Sequence, residues 1–395
     1  MHNARGVDAE FILLNAAEKT DRNAVKRPVA VFLCFCYPPV KRTVVDAVLA
    51  VEVIPVLFNI GIDLGTSTVT AFVSGRGIVL CEDNAICYDA RNDSFVALGD
   101  DAGRMFGKAP ESYVLRRPIS DGVISDFTVM ADILSRFLTK ICKNSIFRPN
   151  VLISAPSCST QLEKKTVIEA ACAAGAGKVH LVDEPVVSAL GAGLSIDHPK
   201  GVMVIDLGGG TVDIAVITMG TVAYATSLRR VSGDTMDEAI CQYVKKNMDI
   251  HIGKQTGRKI KHAVGCAVKR EEEFEITFTG KDIVTGMPKN FSISSHDVCD
   301  ALKENVQSIF DGVMDVLDET PPELYSDICN EGIVLTGGVA RLYGLDKFLA
   351  KKLGIKVTVA PDPEHCGAKG AGFMLKNMKK LEDNGYSFRL REQTF

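Results

Sequence analysis

The sequence predicts an α/β protein whose two halves are copies of one unit. Three observations carry that reading: a strand, glycine turn and strand motif that occurs twice, an alternation of strand and helix patterns from residue 60 onward, and a 395-residue chain, long enough for about two domains. Residues 60–73 read Ile-Gly-Ile-Asp-Leu-Gly-Thr-Ser-Thr-Val-Thr-Ala-Phe-Val, and residues 204–216 read Val-Ile-Asp-Leu-Gly-Gly-Gly-Thr-Val-Asp-Ile-Ala-Val. Placing Asp63 on Asp206, 143 residues further on, also places Ile62 on Ile205, Leu64 on Leu207, Gly65 on Gly208 and Thr68 on Thr211. In both copies apolar strand patterns frame a tight turn.

A carboxylate at the end of a buried strand is costly without a partner, and consecutive glycines give up backbone entropy without adding packing. A metal-bound polyphosphate accounts for both features. Bare glycine amides approach phosphate oxygens closely, a threonine hydroxyl adds a contact, and the carboxylate holds the metal's water shell. One copy alone is equally a glycine-rich hairpin with structural turns. Two copies facing each other would grip one phosphate tail from both sides.

Taken in order, residues 1–58 stand apart, with no clear periodicity and no motif. They read either as a weakly structured extension or as an upstream start misassigned ahead of one near Val56, the second being preferred. No segment reaches 18 uninterrupted apolar residues, which argues against a membrane span. From Ile60 onward helices are expected at 128–143, 160–174, 184–193, 234–249, 255–268, 296–318 and 341–352, and strands at 151–155, 201–206, 212–218 and 332–335. Ser74-Gly75-Arg76-Gly77 reads as a turn between paired strands. A net charge of −4 offers no general basic surface, so nucleic acid is not an expected partner. The 12 cysteines form no Cys-x-x-Cys pair and no zinc spacing, the nearest two being Cys34 and Cys36. With no secretory signal at the extreme N-terminus, that pattern predicts a reduced, cytoplasmic protein.

Two further stretches carry chemistry. Leu181-Val182-Asp183-Glu184-Pro185 sets Glu184 at a strand end, just before a helix that Pro185 can open. Glu184 then reads either as an acid favoured by the helix dipole or as the group that orients a water toward a terminal phosphate. Gly332 to Ala340 is an apolar strand broken by Gly337 and Gly338, where backbone could lie against a base or ribose and the next helix would begin with free amides.

Together these residues resemble the actin, Hsp70 and sugar-kinase ATPase superfamily, and in detail the MreB family of bacterial actin homologues, over residues 60 to about 378. Three segments narrow it: Arg117 to Phe127, Asp282-Ile-Val-Thr-Gly-Met-Pro-Lys289, and Thr320-Pro-Pro-Glu-Leu324. The resemblance implies an actin-like fold, two duplicated RNase H-like α/β domains around a central nucleotide cleft. It divides the chain into an extension (1–58), domain I (59–200), domain II (201–361) and a C-terminal helix returning to domain I with a tail (362–395).

It further implies ATP and Mg2+ as ligands. Asp63, Gly65, Thr66, Ser67 and Thr68 would form the first phosphate hairpin, and Asp206, Gly208, Gly209, Gly210 and Thr211 the second, with Asp63 and Asp206 facing magnesium through water. Glu184 and Thr211 match the pair that positions the attacking water. Gly337, Gly338, Val339 and Ala340 would line the adenosine, and Gly257, Arg258, Lys259, Ile260 and Lys261 match a segment that touches base and ribose. Three positions depart from the pattern: Arg258 stands where a glutamate is usual, Val339 where a third glycine is usual, and Val212 where a second threonine is common.

The resemblance also implies slow ATP hydrolysis and self-assembly into head-to-tail, paired filaments. These would lie at the inner face of the cytoplasmic membrane, guide the cell-wall elongation machinery and maintain rod shape. Ile146 and Phe147, flanked by Lys143 and Arg148, match a membrane-binding loop; they read alternatively as caps on the core. An Hsp70-like chaperone ATPase and a small-molecule kinase are the competing functions. The chain leaves no room for a peptide-binding domain after residue 378, and the three segments above disfavour the kinase.

Overall fold

The computed structural model describes residues 59–143, 148–383 and 389–390, with side chains through residue 378. The expectations for the N-terminal extension and for Ile146 and Phe147 lie outside the described residues. Numbering only the strands of the two large sheets, the first half supplies β1 (Asn59–Leu64), β2 (Thr68–Val73), β3 (Gly77–Asp83), β4 (Asn150–Ala155) and β5 (Lys178–Asp183). The second half supplies β6 (Val202–Leu207), β7 (Val212–Thr218), β8 (Thr221–Leu228), β9 (Ile333–Thr336) and β10 (Val357–Val359).

The first sheet runs β3-β2-β1-β4-β5, with the short strand Arg389–Leu390 added beyond β5; the second runs β8-β7-β6-β9-β10. In each, two antiparallel pairings are followed by two parallel ones, so the duplication seen in the hairpins extends through both sheets. β1 pairs with β2 through Asp63 opposite Thr70, and β6 pairs with β7 through Asp206 opposite Asp213. The buried runs of β6 and β7 have the continuous apolar pattern of strands covered on both faces.

The helices follow their capping residues. α1 (Phe127–Cys142) starts at Asp126, whose side chain accepts from the Val129 amide. α2 (Gln161–Ala173) starts in a Thr160/Glu163 capping box, and α3 (Glu184–Gly191) has a proline in its first turn. α4 (Gly233–Met248), α5 (Lys254–Val264), α6 (Ser295–Glu319), α7 (Pro322–Glu331), α8 (Leu345–Leu353) and α9 (Cys366–Asp383) complete the set used below.

Three expectations are corrected. α5 stops at Val264 instead of running to 268, because Cys266 leaves the helix to bridge Tyr343. The segment after Gly337 makes only a 3-10 turn over Gly338–Arg341, and Gly344 in the left-handed region delays α8 to Leu345. Two small outer sheets, built from 86–89, 95–98 and 113–116 in the first half and from 250–251, 275–282 and 288–294 in the second, were not anticipated from the periodicity.

Each half has its own core, around Phe137 and Met130 in the first and Met203 and Ile309 in the second. A third cluster joins them: Val187 of α3 and Ala371 and Met374 of α9 pack with Leu152 of β4 and Val204 of β6. α3 and α9 cross at backbone contact. A side chain on Gly191 would strike the Cys366 carbonyl, and one on Gly370 would strike the Val187 carbonyl, so both glycines are needed for the crossing. The ends of β1, β6 and α3 thereby meet around one cleft.

Candidate functional site

The two hairpins close with the same bond: the Gly65 amide donates to the Thr68 carbonyl at 3.0 Å and the Gly208 amide to the Thr211 carbonyl at 2.9 Å. Their tips interlock across the cleft. A Cβ on Gly209 would sit 2.8 Å from the Ser67 Cβ, and one on Gly210 would sit 2.5 Å from the Thr66 Cβ. The second hairpin is bare where the first presents its hydroxyls. Thr66 Oγ1 accepts from the Gly122 amide at 3.3 Å, and Ser67 Oγ donates to Asp234 at 3.4 Å, which ties the first hairpin to the second half.

Behind the tips lies a cavity of about 550 Å³. Asp63, Gly65, Thr66, Ser67 and Thr68 border it on one side, and Glu184, Asp206, Gly208 and Gly209 on the other. Its far end is bordered by Arg258, Lys261, Gly337, Gly338 and Val339.

Four acids meet at the phosphate end. Asp206, 8% exposed, accepts from Ser188 and, at 3.0 Å, from Thr336 Oγ1. Asp213, 2% exposed, accepts from Ser227. Asp63 and Glu184 are half-buried at the strand and helix ends. Burial and the neighbouring Asp206 push Asp63 up to about 7, against a bond from Ser154 that lowers it. Burial also raises Asp206, and it pushes Asp213 up to about 6. Glu184 is held well above the carboxylate range by burial and then by Asp213, Asp206 and Asp63.

Among the described residues no lysine or arginine pairs with Asp63, Asp206 or Glu184; Lys164 pairs instead with the adjacent Asp183 at 2.7 Å. Carboxylates crowded without a cation, beside bare amides, fit a divalent ion arriving with a polyphosphate. The group that would be held is thus consistent with the residues present.

At the other end, Gly337 has φ 80°, and a Cβ there would lie 2.7 Å from the Asp206 carboxylate, so β9 turns away over β6 only with glycine. Gly338 has open space on its side-chain face. Val339 borders the cavity, whereas Ala340 is buried in the core beneath. The segment 257–261 divides: Arg258 and Lys261 reach the cavity, Lys261 in an ion pair with Asp237 at 2.7 Å. Ile260 belongs to the core, Gly257 is required because a Cβ there would lie 2.6 Å from the Asp237 carbonyl, and Lys259 faces outward. Of the five, Arg258 and Lys261 line the cavity in this structure. Gly210 is buried against Thr66 at the tip of the second hairpin, and Thr211 is buried behind it, bonding Asp213.

Sequence reasoning missed Ser154, Ser188, Thr336, Asp234 and Asp213. Asp213 alone carried a signal, an acid inside an otherwise apolar strand. Among the described residues, no helix is long and apolar enough to cross a membrane.

Two halves of one topology, joined by crossed helices behind a cleft of paired glycine hairpins, define an actin-like protein. Solved structures share this fold: MreB5 of Spiroplasma citri bound to AMPPNP superposes with a TM-score of 0.79 at 34% identity, covering 84% of this chain and 99% of that one. The MamK double helical filament gives 0.70 at 21% identity, covering 81% and 98%. The family model described as MreB/Mbl protein matches residues 58–383. The cell shape-determining protein Mbl of Bacillus subtilis (strain 168) is 42% identical over 324 residues, 82% of this chain and 97% of that protein. The cell shape-determining protein MreB of Escherichia coli (strain K12) is 41% identical over 326 residues, 80% and 93%. The chain belongs to the MreB/Mbl family.

Proposed function

We propose that this protein is a slow, filament-forming ATPase that determines rod cell shape by organising wall synthesis at the inner face of the cytoplasmic membrane. The observation that carries it is the pair of like hairpins facing each other across one acid-lined cavity, in a chain whose relatives are named as cell shape-determining proteins. Solved MreB5 bound to AMPPNP and to ADP supports ATP as the ligand. Asp63 and Asp206 would hold Mg2+ through water, and the ion would neutralise the triphosphate's charge. Glu184, with Thr211, would orient the attacking water. Burial and the surrounding carboxylates raise its proton affinity, the direction that makes a carboxylate a stronger base.

Self-association follows from the family. A head-to-tail contact is heterologous and propagates into filaments instead of closing. The cytoplasmic, membrane-peripheral position, the wall-synthesis partners and the domain limits 59–200, 201–361 and 362–395 belong to the same reading. The test is Glu184→Ala: ATP affinity stays within about threefold while turnover falls about 100-fold or more. Unchanged turnover would remove Glu184 from its role. Electron microscopy with ATP and anionic liposomes tests the polymer and the membrane together, and monomer alone at every protein concentration would sink both.

A further inference from the structure

α5 turns a cationic face outward at the nucleoside end of the cleft. Gln255, Arg258, Lys259 and His262 are spaced three and four residues apart, hence on one side of the helix, and with Ala263 they line a recess of about 420 Å³. Arg258 and His262 also border the main cavity, so the two spaces share a wall. Among the described residues none of Arg258, Lys259 and His262 forms an ion pair. The nearest acids on α4 are already engaged: Asp237 holds Lys261 at 2.7 Å and Glu238 holds Lys254 at 2.8 Å. Asp237 on α4 and Asp83 across the cleft both reach Arg258 electrostatically, but neither forms an ion pair with it. Burial, then Lys261 and Arg258, hold the His262 ring below its ordinary proton affinity, as expected where positive groups crowd one another. A chain of net charge −4 thus gathers, at one place beside its cleft, positive side chains that no ion pair engages among the described residues.

We propose that this recess takes a second phosphate group carried on the ribose of the bound nucleotide, so that the cleft favours nucleotides phosphorylated at both the 5′ and the 3′ position. The 5′ phosphates belong to the hairpins and the base is neutral. With the triphosphate on the hairpins and the base toward Gly338, the ribose hydroxyls would lie between them, where an anion could be attached without displacing either end. The inference rests on the nucleotide reading of the cleft.

The test uses the full chain and a fluorescent ATP analogue displaced either by ADP or by ADP bearing a 3′-phosphate. The 3′-phosphorylated compound should compete about tenfold better at low salt, a gain of about 1.4 kcal/mol that shrinks as salt rises. In the double variant Arg258→Glu with Lys259→Glu the gain should vanish, with thermal unfolding unchanged as evidence of an intact fold. Equal competition by the two compounds in the wild type overturns the proposal. So does a gain that survives the double variant, and so does an equal gain when free inorganic phosphate accompanies ADP, since the anion then needs no ribose. If ADP itself fails to compete, the nucleotide reading fails instead.

Discussion

At an offset of 143 residues, Gly65 and Gly208 make the same turn, and Asp63 and Asp206 end the same strand. Past that turn the copies diverge, with Thr66 and Ser67 in one hairpin and Gly209 and Gly210 in the other. The difference is complementary, because each glycine of the second hairpin vacates the volume a side chain of the first occupies. Two identical tips would either clash or leave a gap. One hairpin therefore supplies hydroxyls and the other bare amides, a division of labour that a perfect repeat could not provide.

The sharpest way to break this pairing is to fill the bare hairpin. Gly210→Val puts a branched side chain where Thr66 Cβ and Cγ2 lie 2.5 and 2.7 Å from the first added atom, so the tips must separate. Nucleotide affinity should fall more than about 100-fold, roughly 2.7 kcal/mol, in a displacement assay. Adding Thr66→Gly should recover at least about tenfold of the loss. Recovery by Thr66→Gly but not by a distant mutation identifies the clash as the cause, and no recovery would show that Gly210 acts alone.

How far this site was legible follows from the same contrast. The repeat lies along the chain, so the register of Asp63 on Asp206 was visible without a structure, and so were both turns. The fit between Gly210 and Thr66, 144 residues apart, is a tertiary fact with no local signature. Ser188 and Thr336 were invisible for that reason too: each is an unremarkable residue in its own helix or strand, and only the fold brings both to Asp206. Within segment 257–261 a helix points successive residues in different directions, and Arg258 and Lys261 are the two that border the cavity. The sheets were legible where strands are continuously apolar and illegible where short, half-exposed strands at 95–98 and 113–116 alternate weakly.

A milder comparison sets the two strand-end acids against each other. Asp206 is nearly buried and fixed by two hydroxyls, whereas Asp63 is half-buried and bonded by one, Ser154. A preorganised ligand loses less freedom on binding. Asp206→Ala should therefore weaken magnesium-dependent ATP binding by about 30-fold or more and Asp63→Ala by about tenfold, about 2 and 1.4 kcal/mol, in titrations with and without the metal. Equal losses would show that fixation by Ser188 and Thr336 contributes nothing. Loss of binding in the absence of metal would show that the acids act on the fold instead.

The smallest effect is one of pH on the metal-free and nucleotide-free protein. Asp63 is raised from an ordinary carboxylate value to about 7 and Asp213 to about 6, so the folded protein holds protons there that the unfolded chain releases near pH 4. Stability from these groups is fully present below pH 4 and is lost as pH rises through 6 and 7, because the native state binds the extra protons only up to that point. Between pH 5 and pH 8 the melting temperature should fall by a few degrees, after allowance for solvent screening of the half-buried Asp63. Magnesium with nucleotide should remove most of this slope, since a cation between the acids offsets both the burial and the repulsion that raise them. Asp63→Asn should flatten it more than Asp206→Asn, because Asp206 stays anchored by hydroxyl donors that favour its ionised form. A slope unchanged in both variants would mean that the acid cluster is not what opposes ionisation, and the fit of a divalent cation at the hairpins would lose its physical basis.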